Sequence, residues 1–245
     1  MDGSRRDGVS GIQVHTGQMT AMNASRVTII IPAKNEASNI GPLIERLRGL
    51  GCGMLVVDGN STDGTAEKCS ALGLSVFRDH GRGKGDALRV GAANAPGEVL
   101  VFMDADLSHD PADIEKLVTG IEQGADLVIG SRMKGGSDEL HGTLDNFIRN
   151  TGSNLLCLIL NYRFGVMLTD IENGFRAIRK DVFLDLGLSE DGFTVEQEMV
   201  IRALKKGRRI VEVPSHEFER SSGKSKLPTR EGWKFLYYFF KDLVF

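Results

Sequence analysis

The segment VTIIIPAKNEASNIGPLIERLRGLGCGMLVVD, residues 27–58, carries the pattern from which the fold class follows. Its first part, Val27 to Ile31, is rich in β-branched residues and ends at Pro32, which is typical of a strand. Apolar residues then recur at helical spacing from 40 to 47, and a second apolar run ends at Asp58. The order strand, helix, strand indicates two parallel neighbours joined by a crossover helix.

The same unit recurs along the chain. Besides 27–31, the pattern predicts strands over 54–58, 75–77, 99–104, 126–130 and 209–213, and helices over 40–47, 65–72, 114–121, 144–160 and 195–206. This alternation predicts an α/β fold with a Rossmann-like, mostly parallel central sheet flanked by helices. Ligands of such sheets bind beyond the carboxyl ends of the strands, so we expect the loops after Ile31, Val57 and Met103 to share one site.

Composition limits the class of protein. The chain has 245 residues, of which 41% are apolar and 26% charged, and its net charge of -3 gives no electrostatic reason to expect a nucleic-acid partner. Its three cysteines follow no metal-ligand or paired spacing, which is typical of a reducing compartment. We predict a disordered leader over 1–25, one α/β domain over 26–230 and an aromatic C-terminal segment over 231–245, in a cytoplasmic protein.

The pair Asp104-Ala105-Asp106 follows the predicted strand 99–104 and is the strongest chemical signal in the sequence. Side chains two apart in an extended segment point to the same side, so both carboxylates can converge on one Mg²⁺ or Mn²⁺ ion. Ser108 is a third candidate oxygen ligand. An ion held by few protein ligands keeps positions free for diphosphate oxygens. Taken alone, the two acids are equally typical of an ordinary turn at the end of a strand.

Four motifs in combination resemble the family 2 inverting glycosyltransferases, which have the GT-A fold of nucleotide-diphospho-sugar transferases. They are IPAKNE at 31–36, VVDGNSTDGT at 56–65, GKG at 83–85 and MDADLSH at 103–109. Within that family the chain is similar to the polyprenyl-phosphate sugar transferases typified by dolichol-phosphate mannose synthase. The resemblance implies metal-dependent transfer of a hexose from GDP-mannose or a UDP-hexose to a polyprenyl or dolichyl phosphate.

The same resemblance implies a donor site. The site would contact the nucleoside, the ribose and the diphosphate of the donor. It would comprise nine residues: Pro32, Asn35, Glu36, Asp58, Gly59, Lys84, Gly85, Asp104 and Ala105. Carboxylates such as Glu36 and Asp58 are suited to accept hydrogen bonds from ribose hydroxyls. The glycine-rich turn 81–85 has neither the Walker nor the dinucleotide-binding spacing, so by itself it indicates only a solvated loop.

A second set of residues would, by the resemblance, act on the acceptor phosphate. With Asp106 as the catalytic carboxylate, it comprises Arg132, Arg149, Ser153, Arg220 and Lys226. Arginine forks match phosphate geometry and keep their charge, although each of these residues alone is typical of a solvated surface. A lipid monophosphate has a second pKa of about 6, so it needs no general base.

The sequence is also compared with four other functions: sugar transfer to a hydroxyl acceptor, nucleotidyl transfer, a scaffold role and hydrolysis. A hydroxyl acceptor would require a carboxylate base, for which Asp170 and Glu198 are candidates. Asn173, Glu196 and Gln197 depart from the family pattern and leave the donor sugar and the acceptor undecided. A nucleotidyltransferase would also use an aspartate-held metal, but its glycine-rich N-terminal signature is absent, and a scaffold protein would not explain polar elements after successive strands. Gly-x-Ser-x-Gly and His-Glu-x-x-His are absent, which argues against serine and zinc hydrolases.

The C-terminal segment is rich in aromatic residues. From Arg220 onward there are six Lys or Arg residues against two acids. Aromatic side chains with nearby cations favour peripheral contact with an anionic membrane surface, here the cytosolic one. A helix that packs on the protein's own core would give the same pattern, and a membrane partner subunit or an oligomer is compatible with either.

Overall fold

The computed structural model describes residues 24–138, 144–220 and 232–244, with the side chains of 144–150, 232–235 and 244 outside that description. Seven strands form one sheet: β1 (Val27–Ala33), β2 (Gly53–Asp58), β3 (Ser75–Arg78), β4 (Val99–Phe102), β5 (Leu127–Ser131), β6 (Arg176–Arg179) and β7 (Ile210–Pro214). Each of the six predicted strands is present within a few residues of its expected bounds. The predicted leader, residues 1–25, lies outside the described residues except for Ala24 and Ser25.

The strand order in the sheet is β3-β2-β1-β4-β6-β5-β7. Four strand pairs are parallel, as the sequence predicts: β1 with β2, β1 with β4, β2 with β3 and β5 with β7. The inserted β6 runs antiparallel to both β4 and β5. The sheet is therefore mixed at one position and otherwise parallel, and the carboxyl ends of β1, β2 and β4 share one edge.

Nine α-helices are described. They are α1 (Ile40–Arg48), α2 (Thr65–Ala71), α3 (Lys84–Asn94), α4 (Ile114–Glu122), α5 (Arg132–Gly135), α6 (Leu144–Phe164), α7 (Lys180–Leu186), α8 (Val195–Lys205) and α9 (Gly232–Val244). The sequence did not predict α3, α5 or α7. Asp110 accepts a hydrogen bond from the main chain of Ala112 and caps the 3-10 turn Pro111–Asp113 that precedes α4. Within the described residues no helix combines the length and the apolar character needed to cross a bilayer.

The sheet is buried on both faces. Ile30 belongs to the apolar layer that includes side chains of α3, α6, α7 and α8, whereas its neighbours Ile29 and Ile31 belong to the layer with α1, α2 and α4. Strands covered on both sides read as continuous apolar runs, which is why 27–31 alternates so little. Each fully buried isoleucine contributes roughly 1.5–3 kcal/mol to this packing.

One predicted boundary was wrong in a way that affects the site. The strand β4 ends at Phe102, so Asp104 and Asp106 lie in the turn that follows it and not in extended chain. Leu107 has φ 66 in that turn. The two carboxylates are therefore brought together by a turn with a left-handed residue, and not by the alternation of side chains along a strand.

Candidate active site

A cavity of about 830 Å³ opens at the shared edge of β1, β2 and β4. Its walls are the loops after these three strands, the start of α3, and parts of the segments 172–174, 193–196 and 217–220. This position agrees with the ligand site expected beyond the carboxyl ends of parallel strands. The cavity is large enough for a nucleotide-sized ligand, since ligand pockets usually measure about 300–1,000 Å³.

Two of the cavity loops are tied to each other by side chains. Asn35, at φ 55, accepts a hydrogen bond from the main chain of Thr62 through Oδ1, and its own N–H donates to Ser61. The main chain of Glu36 donates to the Thr65 hydroxyl. Pro32, Asn35 and Glu36 all line the cavity. These hydrogen bonds fix the loop after β1 against the loop after β2. The polar atoms of the loop after β1 are thereby held in the cavity wall.

Asp58, the last residue of β2, lies outside the cavity lining. Its side chain is buried, Oδ2 accepts from the main chain of Ser61, and the residue does not line the cavity, whereas the neighbouring Gly59 does. Oδ1 of Asp58 has no hydrogen-bond partner among the residues the structure describes. A ribose or base contact through Asp58 therefore stays a prediction, and in this arrangement Asp58 supports the loop 59–64.

Lys84 lies on the cavity floor between two carboxylates. Its Nζ is 2.8 Å from Oδ1 of Asp104 and 2.9 Å from Oε1 of Glu196. Burial alone would lower the pKa of Lys84, but the two carboxylates outweigh this effect and raise it. Burial would likewise raise the pKa of Asp104, whereas Lys84 lowers it, so both groups are charged at neutral pH. Gly85 instead faces away from the cavity and packs against Glu190.

Asp106 and Ser108 form the other half of the predicted metal set. Oδ1 of Asp106 accepts hydrogen bonds from the main chain and the hydroxyl of Ser108, at 3.1 and 2.6 Å. Nε of Arg220 is 3.4 Å from Oδ2 of Asp106. Asp104, Ala105, Asp106 and Ser108 all line the cavity. Carboxylate and hydroxyl oxygens are the ligands that Mg²⁺ and Mn²⁺ prefer, so this donor set fits such a hard cation.

Arg132 also lines the large cavity. It donates to both oxygens of Asp170, with Nε at 2.7 Å from Oδ2 and Nη2 at 3.0 Å from Oδ1. Glu217 lies 3.6 Å from its Nη1. Burial would lower the pKa of Arg132, but Asp170 raises it, so the guanidinium keeps its charge. Arg132 also borders a second, polar cavity of about 40 Å³ that Ser153 and Glu172 help to line.

The candidate bases for a hydroxyl acceptor are placed differently from expectation. Asp170 is occupied by the bidentate pair with Arg132 and serves to orient that guanidinium. Glu198 is fully buried, accepts hydrogen bonds from the main chain of Ser189 and Glu190, and pairs with Arg202. It lines neither cavity, so it holds the loop before α8. Arg149 and Lys226 cannot be placed, since the side chain of the first and the whole of the second lie outside the described residues.

Several residues of the site were not predicted from the sequence. Glu172 lines both cavities, Glu196 and Glu217 line the larger one, and burial raises the pKa of Glu172. His109 also lines the larger cavity, stacks on Phe175 at 4.8 Å, and has its pKa lowered by burial. Among them, His109 belongs to the motif at 103–109 and Glu172 follows Asp170 by two residues, whereas Glu196 and Glu217 are far from the four motifs in sequence. Their convergence depends on the antiparallel strand β6, the helix α8 and the segment after β7, whose arrangement in space the sequence patterns do not reveal.

Comparison with known proteins decides the family. The model of glycosyl transferase family 2 matches residues 28–187. The chain belongs to glycosyl transferase family 2. The matched range contains β1 to β6 and the carboxylate pair, so the resemblance inferred from the four motifs is confirmed.

Curated relatives of this glycosyltransferase include enzymes named for lipid-phosphate acceptors. It is 34% identical over 226 residues to the dolichol-phosphate mannosyltransferase of Pyrococcus furiosus, covering 88% of the chain and 63% of the relative. It is 32% identical over 224 residues to the polyprenol monophosphomannose synthase of Mycolicibacterium smegmatis, covering 85% of the chain and 83% of the relative. The chain thus spans less than two thirds of the Pyrococcus relative and most of the mycobacterial one.

Solved structures establish the fold. Glucosyl-3-phosphoglycerate synthase from Mycobacterium tuberculosis, in complex with Mn²⁺, UDP and phosphoglyceric acid, superposes with a TM-score of 0.72 at 19% identity, covering 93% of this chain and 81% of that one. The same enzyme with Mg²⁺ and UDP gives a TM-score of 0.73. The fold is therefore the GT-A fold that the motifs imply.

Proposed function

We propose that this glycosyltransferase transfers a hexose from a nucleoside-diphosphate sugar to a polyprenyl or dolichyl phosphate, with the help of Mg²⁺ or Mn²⁺. The observation that carries the proposal is the position of Arg132, which borders both the large cavity with Asp104 and Asp106 and the small polar cavity with Ser153. A donor diphosphate and an anionic acceptor could then approach one guanidinium from two sides. The names of two relatives support a lipid-phosphate acceptor.

The donor half of the proposal rests on the carboxylate pair. Asp104, Asp106 and Ser108 would hold the divalent cation, which supplies charge neutralisation on the departing nucleoside diphosphate. Pro32, Asn35 and Glu36 would hold the nucleoside in the wall that the loop 59–64 supports. Lys84 and Arg220, each paired with one of the two aspartates, supply positive charge beside the diphosphate.

The acceptor half requires two anions to approach each other. Arg132 keeps its charge because of Asp170, and Asp170 fixes the guanidinium plane through two hydrogen bonds. Such a preorganised cation offsets the repulsion between the acceptor phosphate and the donor diphosphate. Because the phosphate oxygen is already ionised at neutral pH, no side chain has to remove a proton. Attack opposite the nucleotide would invert the anomeric centre.

A hydroxyl acceptor is the second candidate, and one observation favours it. Glu172 lines both cavities, forms side-chain hydrogen bonds with Gln197 and Ser153, and has a pKa raised by burial. A carboxylate with a raised pKa is suited to accept a proton near neutral pH. If the acceptor were a hydroxyl compound, Glu172 would be its base, in place of Asp170 or Glu198.

We further propose peripheral contact with the cytosolic face of a membrane. The helix α9 buries Phe239 fully in the core, while Leu236, Tyr237 and Phe240 are exposed on its other face. It packs against α6, which also exposes Leu155 among other apolar side chains. Exposed aromatic side chains on an otherwise anchored helix suit the bilayer interface, where the lipid part of the acceptor would reside.

The proposal is tested with purified protein, Mn²⁺, a short polyprenyl phosphate and a panel of GDP- and UDP-sugars. Transfer is followed by mass spectrometry of the organic phase. We expect one donor to give a lipid-phosphate sugar, and Asp106→Ala to abolish the product. Sugar found only in water-soluble products, with every donor, would contradict the lipid-phosphate acceptor.

A further inference from the structure

Lys84 is shared by two carboxylates that differ in their access to the cavity. The side chain of Asp104 is 32% exposed, whereas that of Glu196 is 3% exposed and that of Lys84 is 11% exposed. Asp104 is also a predicted ligand of the divalent cation. A cation that binds Asp104 would therefore take away one of the two partners of a nearly buried ammonium, and leaving such a charge without partners is costly.

Glu196 has unused capacity to compensate for that loss. Its Oε1 lies 2.9 Å from Nζ of Lys84, while its Oε2 is buried without a hydrogen-bond partner among the residues the structure describes. A buried carboxylate oxygen without a donor is unfavourable. An ammonium has three N–H groups, so Lys84 could bind both oxygens of Glu196 once it leaves Asp104.

The surroundings permit this shift and fix Glu196 in place. The three groups pack against Gly174, where an added Cβ would lie 2.5 Å from Nζ of Lys84 and 3.4 Å from Oε1 of Glu196. The absence of a side chain at Gly174 leaves room for the ammonium. The fully buried Arg176 donates from Nη1 to the main-chain oxygen of Glu196 at 3.0 Å. Glu196 also lies in the first turn of α8, where the helix dipole stabilises a carboxylate.

We infer that Glu196 is a positioning residue that receives Lys84 when a divalent cation takes Asp104. In the donor-free protein Lys84 bridges the two carboxylates, and in the cation-bound protein it pairs with Glu196 alone. The ammonium thus stays at the cavity floor, beside the expected diphosphate position. The inference rests on the proposed function in one respect, the binding of a divalent cation at Asp104.

The experiment measures Mn²⁺ binding to the 245-residue chain without donor, by the electron paramagnetic resonance signal of free Mn²⁺. We expect Glu196→Gln to weaken Mn²⁺ binding by about tenfold, because binding then removes the only carboxylate partner of Lys84. Glu196→Asp keeps the charge but shortens the side chain, so it should also weaken binding. Glu172→Gln, at a half-buried carboxylate of the same cavity that forms hydrogen bonds with Gln197 and Ser153, is the matched control and should change the Kd less than threefold.

The same substitution measured in a Lys84→Met protein distinguishes a positioning role of Glu196 from a general effect of its negative charge on Mn²⁺ binding. In Lys84→Met no ammonium has to be received, so adding Glu196→Gln should change the Mn²⁺ Kd by less than twofold. Equal weakening in both backgrounds, or wild-type binding by Glu196→Asp, would overturn the inference. Thermal unfolding checks that each variant is folded. The proposed function fails separately: absent sugar transfer to polyprenyl phosphate leaves these binding results unaffected, whereas a wild-type protein that does not bind Mn²⁺ contradicts both.

Discussion

Asp86 shows how single residues shape the cavity without touching it. Its side chain is 2% exposed in the first turn of α3, two residues after Lys84. It accepts hydrogen bonds from the main chain and ring of His80 and from Arg82. These contacts fold the glycine-rich turn 81–85 back onto the helix start. The turn therefore presents Lys84 to the cavity because a buried carboxylate organises it, and not as the solvated loop that its composition alone indicates.

The pKa of Asp86 gives a prediction with a definite sign. Burial alone would raise the pKa, but the hydrogen bonds from His80 and Arg82 outweigh it and lower the pKa from 3.8 to about 2. A group whose folded-state pKa is depressed stabilises the fold above its unfolded pKa, and the stabilisation is lost as the pH falls toward the folded pKa. Asp86→Asn should therefore lower the free energy of unfolding by about 2 kcal/mol at pH 7.

Urea unfolding from pH 7 down to pH 3 checks this expectation. The difference between wild type and Asp86→Asn should remain constant above about pH 4 and shrink below it. The exposed Glu67→Gln on α2 is the control and should stay within about 0.5 kcal/mol of wild type. A difference that does not depend on pH would mean that Asp86 acts through packing alone.

At the scale of elements, α3 is held close to the segment before α8. The N–H of Gly85 donates to the main-chain oxygen of Asp191 at 2.8 Å, and Arg89 pairs with the Asp191 carboxylate. An added Cβ at Gly85 would lie 2.0 Å from the main-chain oxygen of Glu190. This close approach brings Lys84 and Glu196 together in the cavity lining, although they are far apart in sequence. Gly85 was predicted to bind the donor, and its observed contacts are structural.

Gly85→Ala should therefore destabilise the protein. The new methyl group meets main-chain atoms that cannot move without shifting α3, and overpacking of this kind costs about 1–3 kcal/mol. The matched control is Gly152→Ala in α6, where an added Cβ has nothing within 4 Å. There, better helix propensity should leave the stability unchanged or raise it by up to about 1 kcal/mol. Chemical denaturation of both variants measures the contrast, and equal stabilities would contradict the packing argument.

The elements also show where sequence patterns succeed and fail. The strands β1 and β2 and the helices α1 and α4 are long apolar or strongly amphipathic runs, so the sequence predicts them. The helix α3 is missed because small residues fill its buried positions, among them Ala87, Gly91 and Ala92, and these give little periodic contrast. The antiparallel β6 is missed because four residues, Arg176–Arg179, carry no strand signal of their own.

At the scale of the whole molecule, the motifs predict part of the cavity lining, and the order of strands in the sheet brings the remaining residues to it. Asp104, Asp106 and Arg132 were predicted from local sequence, and all three line the cavity. The pairing of Lys84 with Glu196 and of Arg132 with Asp170 joins segments that are distant in the chain. Such pairs depend on the order of strands in the sheet, which no single motif encodes.

The proposed membrane contact depends on several exposed side chains of α9 together, so they are replaced together. Replacing Leu236, Tyr237 and Phe240 with serine should reduce co-flotation with vesicles containing phosphatidylserine by about tenfold, because these exposed side chains of α9 would lose their partition into the interface. Leu184→Ser, at another exposed apolar position, should bind the vesicles like wild type. Unchanged flotation of the triple variant would assign the exposed face of α9 to another role.

A competition between two lipids distinguishes a phosphate acceptor from a hydroxyl acceptor. Polyprenyl phosphate and the corresponding polyprenyl alcohol are supplied together at equal concentration with Mn²⁺ and the donor that supports turnover, and both products are measured by mass spectrometry. We expect sugar on the phosphate and none on the alcohol, with loss of product in Arg132→Met and retention in Glu172→Gln. Sugar on the alcohol, abolished by Glu172→Gln, would contradict the phosphate acceptor and establish the hydroxyl-directed reaction instead.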